Sequence, residues 1–167
     1  MSRAFVKESD DDLGDELPQR PVPEHANYVT PRGLEQLRAR MRELAEQHEQ
    51  LKPLSADDSE AKRKLREIER DQRYFVAQLE RAELVDPERQ PKDEVRFGAT
   101  VCVEDETGRR ETFSIVGDDE ADVAAGLISW ASPLSRSLLG ARVGDTVKWR
   151  RPAGELDVEI ISVVYNK

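Results

Sequence analysis

Apolar positions recur through the first half of the chain at steps of three and four residues. One stripe runs through Leu34, Leu37, Met41, Leu44, His48 and Leu51, and a second through Ala61, Leu65, Ile68, Gln72, Phe75, Leu79 and Ala82. That spacing belongs to a coiled-coil seam and predicts two helices. Nine residues separate Leu51 from Ala61. This allows only a reversal, so the helices form an antiparallel hairpin. Pairing Leu51 with Ala61, Leu44 with Ile68, Leu37 with Phe75 and Leu34 with Leu79 keeps one register, with the apex near Ala56 and Asp57. His48 then lies on the seam, where a polar residue sets register. Thr30 caps the first helix with Pro31 at its first position, and Pro53 stops it. Ser55 or Asp57 can cap the second, which ends at Val85-Asp86-Pro87.

After Glu94 the period changes to two. Residues 95–103 and 111–117 read as strands joined by a turn at Asp105-Glu106-Thr107-Gly108. Residues 127–130 form a short strand. Ser132-Pro133 opens a short helix over 134–139, stopped by Gly140. Residues 146–151 and 155–165 close as a hairpin. The expected fold class is α+β: an antiparallel coiled-coil hairpin, then a small antiparallel β domain with short helices. The expected organisation is a disordered acidic tail over 1–27, the hairpin over 28–86, a linker over 87–94 and the β domain over 95–167. The tail is expected to be disordered because it offers few apolar groups to offset ordering.

The net charge of −9 over 167 residues excludes a generic nucleic-acid binder. Cys102 is a lone cysteine in a strand, and no Cys/His set has metal-ligand spacing. No apolar run is long enough for a signal peptide or membrane span, so a cytoplasmic setting is expected. With two histidines and no Gly-rich phosphate loop, nucleophilic or metal hydrolysis by this chain alone is poorly supported. Aromatics make up 5%, which suggests no aromatic-lined proline pocket and argues against a prolyl isomerase.

The candidate chemistry sits at the apex. Asp57, Asp58 and Glu60 cluster where the second helix begins. Acids there complement the helix dipole and cap free N–H groups. Equally, two exposed carboxylates suffice to help hold Mg²⁺ in a site that supplies phosphate oxygens and water. Behind them Lys62, Arg63, Lys64, Arg66, Arg70 and Arg73 form a basic flank interleaved with Glu67, Glu69 and Asp71. It is either a solvated face of i,i+4 pairs or a stripe able to track phosphates.

Several segments resemble the GreA/GreB transcript cleavage factors of bacterial RNA polymerase. In the second half these are Phe97-Gly98-Ala99-Thr100-Val101, Ile115-Val116-Gly117-Asp118-Asp119-Glu120-Ala121-Asp122, Ser132-Pro133-Leu134-Ser135-Arg136 and Val143-Gly144-Asp145. In the hairpin, Tyr28-Val29-Thr30-Pro31-Arg32-Gly33-Leu34 and Leu65-Arg66-Glu67-Ile68-Glu69-Arg70 are similar to the same family. The resemblance implies an FKBP-like β domain that docks at the rim of the polymerase secondary channel through Trp130, Ser132, Pro133, Leu134 and Arg136. It implies a hairpin that runs inward to the nascent RNA 3′ end. It implies that Asp57, Glu60 and Asp58 are the catalytic tip acids, with Asp57 and Glu60 sharing Mg²⁺ with the polymerase. The protein is then an accessory factor, with no cofactor bound alone, and a monomer because its seam is satisfied within the hairpin.

Two departures from the family pattern bear on this. The tip keeps Asp-x-Ser-Glu but lacks the family's Asn, and both arms are shorter than in GreB by roughly six or seven residues, about 10 Å of reach. Ala131 stands where the family usually has Asp or Asn. The alternative is a regulator of the same fold that occupies the channel or competes with cleavage factors without stimulating cleavage.

Overall fold

The computed structural model describes residues 17–166. Two helices dominate the first half: α1 spans Pro31–Leu51 and α2 spans Ser59–Glu80. Thr30 caps α1 as expected, its hydroxyl accepting from the Gly33 N–H at 2.9 Å. The seam buries Leu37, Leu44, Ala61 and Ile68. His48 sits at its edge and meets Glu69 across the hairpin at 3.1 Å.

The root of the hairpin carries two strands that the sequence does not announce. β1 (Asn27–Val29) precedes α1 directly, and β2 (Ala82–Leu84) follows α2; they pair in parallel, Asn27 with Ala82 and Val29 with Leu84. The helical stripe therefore ends before Ala82, and α2 stops five residues short of the expected Val85. Arg81 is the reason. Its backbone closes the last turn, while its guanidinium reaches the Gln78 side chain and the His25 carbonyl.

The second half is one five-stranded sheet in the order β5-β4-β3-β7-β6, with β3 Ala99–Asp105, β4 Arg110–Val116, β5 Leu127–Ser129, β6 Thr146–Arg151 and β7 Gly154–Tyr165. All neighbours are antiparallel except β4 and β5. A short helix, α3 (Pro133–Leu138), seals one face. Val95, Val101, Ile115, Leu138, Val158 and Ile160 form its core. β3 starts at Ala99, not at residue 95, because Gly98 adopts φ +87° and breaks the extended run. Val95 is still fully buried, with its N–H bonded to the Ala141 carbonyl.

Residues 17–26, read from sequence as part of the tail, pack along α2. Arg20 lies 4.0 Å from the Tyr74 ring centroid and 3.3 Å from Asp71, and Gln19 accepts from Arg73 at 2.9 Å. The rest of that tail lies outside the described residues.

Candidate functional site: the tip and root of the hairpin

The turn between the helices is continuous hydrogen-bonded backbone. The N–H groups of Lys52, Ser55 and Asp58 reach the carbonyls of His48, Leu51 and Leu54 at 2.9, 3.0 and 3.2 Å. Asp58, not Ser55 or Asp57, caps α2. Its backbone is extended (φ −125°, ψ 113°), and its carboxylate accepts from the N–H groups of Glu60 and Ala61 at 2.9 and 3.3 Å. The three acids thus take different roles. Asp58 is spent on the cap. Glu60 is paired with Lys64 one turn on, at 2.9 Å, and this partner holds its carboxyl below the usual range. Asp57 is exposed, and its carboxylate makes no hydrogen bond or ion pair among the described residues. Beside it Leu54 is 57% exposed, an apolar point that the sequence pattern did not single out.

The basic flank is a partly paired face. Arg63 lies 3.9 Å from Glu67, and Arg70 lies 3.4 Å from Asp71. Lys62, Arg63 and Lys64 are exposed, while Arg66 and Arg70 are half-buried.

At the root, three successive acids hold the hairpin against the β domain. They lie on a 3₁₀ turn, Asp118–Glu120, just after β4. Asp118 accepts from Ser129 and meets His25, both at 2.5 Å. Asp119 accepts from the Tyr74 hydroxyl and the Gln78 amide, both at 2.8 Å. Glu120, itself buried, accepts from the Thr30 hydroxyl at 2.6 Å. Each acid takes a different element: the N-terminal segment, α2 and the start of α1. Two glycines make room. A Cβ at Gly33 would stand 2.8 Å from Glu120 Oε2, and one at Gly117 would stand 2.5 Å from the Tyr28 carbonyl oxygen.

The clasp leaves a measurable mark on Tyr74. Burial, then its bond to the Asp119 carboxylate, pushes the phenol well above its usual value near 10. A phenol raised in the folded state stabilises fully below that usual value, and the contribution is lost as pH climbs past it. Urea midpoints should therefore hold up to about pH 10 and fall as pH climbs above it. Tyr74→Phe should flatten that fall while costing about 1 kcal/mol at neutral pH. An equal fall in both proteins would refute the assignment.

The predicted rim residues divide. Ser132 caps α3 and Pro133 stands exposed at its first position. Arg136 is exposed, whereas Leu134 is only 8% exposed and packs into the core. Leu134 therefore supports this surface and cannot present its side chain to a partner. Trp130 meets Tyr28 (centroids 4.9 Å apart) and His25 (5.3 Å) edge-to-face, and its indole nitrogen is buried without a hydrogen-bond partner among the described residues. These rings correct the expectation of no aromatic-lined pocket. Tyr28, Phe97 and Trp130 line a cleft of about 450 Å³ at the root, with Val85, Arg96 and Leu139.

Residues 90–165 match the family described as transcription elongation factor GreA/GreB, C-term. The chain is 42% identical over 158 residues to transcription elongation factor GreB of Neisseria meningitidis serogroup B, covering 86% of this chain and 97% of that one. The chain belongs to the GreA/GreB family. The transcription elongation factor GreA of Mesorhizobium japonicum is 44% identical over 88 residues, about half of either chain. A solved GreA/GreB factor from Nitrosomonas europaea is 27% identical, covers 83% of this chain and 99% of that one, and superposes with a TM-score of 0.42; that superposition adds nothing to the assignment.

The GreB match also bears on length. The 158-residue GreB match draws on 86% of 167 residues, about 144, so about 14 aligned positions have no counterpart here.

As for Mg²⁺, no group of three or more His, Cys, Asp or Glu able to hold a metal ion occurs among the described residues. In this GreA/GreB family member the donor set fits only as a minority share of a coordination shell: Asp57, ready as it stands, and Glu60, once released from Lys64. Among the described residues, no helix is long and apolar enough to cross a membrane.

Proposed function

We propose that this GreA/GreB family protein is an elongation factor that acts on bacterial RNA polymerase from the secondary channel. Its β domain, FKBP-like in the family's manner, docks at the channel rim. Pro133, Arg136 and the cap residue Ser132 stand on the contact surface. The clasp fixes the angle at which the hairpin leaves that surface, and the hairpin carries its tip towards the RNA 3′ end. Mg²⁺ bound at the polymerase centre would supply charge neutralisation and an acidified water for RNA hydrolysis. Asp57 offers it an oxygen donor without reorganisation. Glu60 must first exchange Lys64 for the ion. Lys62 and Arg63, just behind the tip, attract the phosphates of the backtracked strand. The single observation that carries this reading is an exposed Asp57, unengaged among the described residues, at the far end of a rod rooted in a hydrogen-bonded clasp.

The shortened match to GreB favours a second reading, in which the factor occupies the channel and competes with cleavage factors without stimulating cleavage. One assay separates them. Adding the protein with Mg²⁺ to a backtracked elongation complex should raise the rate of 3′ RNA cleavage above that of polymerase alone. An unchanged rate together with displacement of a cleavage factor would establish the second reading. Absence of binding to purified core polymerase would sink both.

A further inference from the structure

The apex holds one large apolar group outside the seam. Leu54 is 57% exposed; among the described residues the other large apolar side chain exposed along the hairpin is Val76, near the root end of α2. The backbone of Leu54 is fully engaged. Its N–H donates to the Leu51 carbonyl at 3.1 Å, and its carbonyl accepts from the N–H groups of Asp57 and Asp58 at 3.4 and 3.2 Å. Pro53 fixes the φ just before it, and the Ser55 hydroxyl closes onto the Lys52 carbonyl at 2.7 Å. The side chain therefore leaves the turn from a set position. Helix-like bonding of this kind puts residues three apart on one side, about 5–6 Å from each other. Leu54 thus stands beside Asp57, the acid that caps nothing.

Two cations flank this pair. Lys52 closes α1 and Lys62 lies in the first turn of α2. Both are exposed, and neither side chain makes a hydrogen bond or ion pair among the described residues. Cations, an unengaged carboxylate and an apolar group at one apex answer the three parts of a metal-bound nucleotide: phosphate, metal ion and the flat face of a base. An apolar protein wall would satisfy Leu54 and leave both lysines and Asp57 solvated. We propose that Leu54 packs against the base of the RNA 3′-terminal nucleotide, with the phosphate towards Lys52 and Lys62 and the metal towards Asp57. Leucine is among the apolar side chains that proteins press against base faces. The inference rests on the channel reading given above and holds in either of its forms, cleaving or occupying. It makes the tip sensitive to the presence of the last base, which carboxylates alone would not.

The test reads binding, with Ca²⁺ in place of Mg²⁺ so that no cleavage is needed. Backtracked elongation complexes are built with RNA ending either in adenosine or in an abasic ribonucleotide. The full chain should bind the adenosine-ended complex about ten-fold tighter, the gain from covering the exposed part of one leucine. Leu54→Ala should bind both complexes equally, at the unsubstituted protein's affinity for the abasic one, with its melting temperature unchanged. Leu54→Met preserves volume and apolar surface and should keep the preference. Equal affinities of the unsubstituted protein for the two complexes would overturn the base contact. So would a loss of the same size on both complexes in Leu54→Ala, the mark of a protein wall. A base preference found without stimulated cleavage in Mg²⁺ would keep the contact and dismiss only the cleavage reading. Absence of binding to either complex would sink both.

Discussion

Asp57→Ala should reduce stimulated RNA cleavage by roughly 10- to 100-fold in a backtracked complex, the range for losing a group that orients or completes a metal shell. Its competition for polymerase should not change. The side chain is exposed and makes no hydrogen bond or ion pair among the described residues, so its removal should cost the fold little. Asp58→Asn is the informative companion. Asparagine caps a helix as well as aspartate does, so this protein should keep both its stability and its stimulation. If Asp58→Asn loses cleavage while Asp57→Ala retains it, the division of roles at the tip is wrong. Glu60→Ala should fall between them, since that carboxylate must first leave Lys64.

Gly117→Ala should be the most damaging small change at the root. The new methyl would meet the Tyr28 carbonyl oxygen at 2.5 Å. That oxygen belongs to backbone held in the β1–β2 ladder, so no rotamer relieves the contact. Overpacking of this kind costs about 2–3 kcal/mol. For a chain of this size that lowers the melting temperature by about 5–10 °C. Calorimetry would show it, and hydrogen exchange should quicken first in Asn27, Tyr28 and Val29. An unchanged melting temperature would mean that the root yields freely and does not hold the hairpin's angle.

The hairpin was legible because its signal is local and repeats: seven-residue periodicity, a Pro-led start and a turn too short for anything else. The β domain was legible for the same reason, its alternation placing β4, β6 and β7 within a residue of where they stand. What could not be read was the joint. Asp118, Asp119 and Glu120 look like one more acidic run. Their partners His25, Thr30, Tyr74 and Gln78 lie 41 to 93 positions away, and no periodicity links such distances. β1 and β2 escape notice because three residues show no alternation. The tip was legible as a cluster but not as a division of labour. Which acid caps α2 depends on a single extended residue, and that choice is what leaves Asp57 unengaged.

The β1–β2 ladder has a consequence for how such a factor can vary. It clips the two ends of the hairpin together at the neck, and the clasp contacts lie at or below that clip, on the first turn of α1 and on the last two turns of α2. Beyond it, each arm leans chiefly on the other. Removing one matched heptad from each arm therefore shortens the projection by about 10 Å and leaves the mounting untouched. Depth of penetration becomes a dial separate from orientation, one that paired deletions can turn without rebuilding the joint.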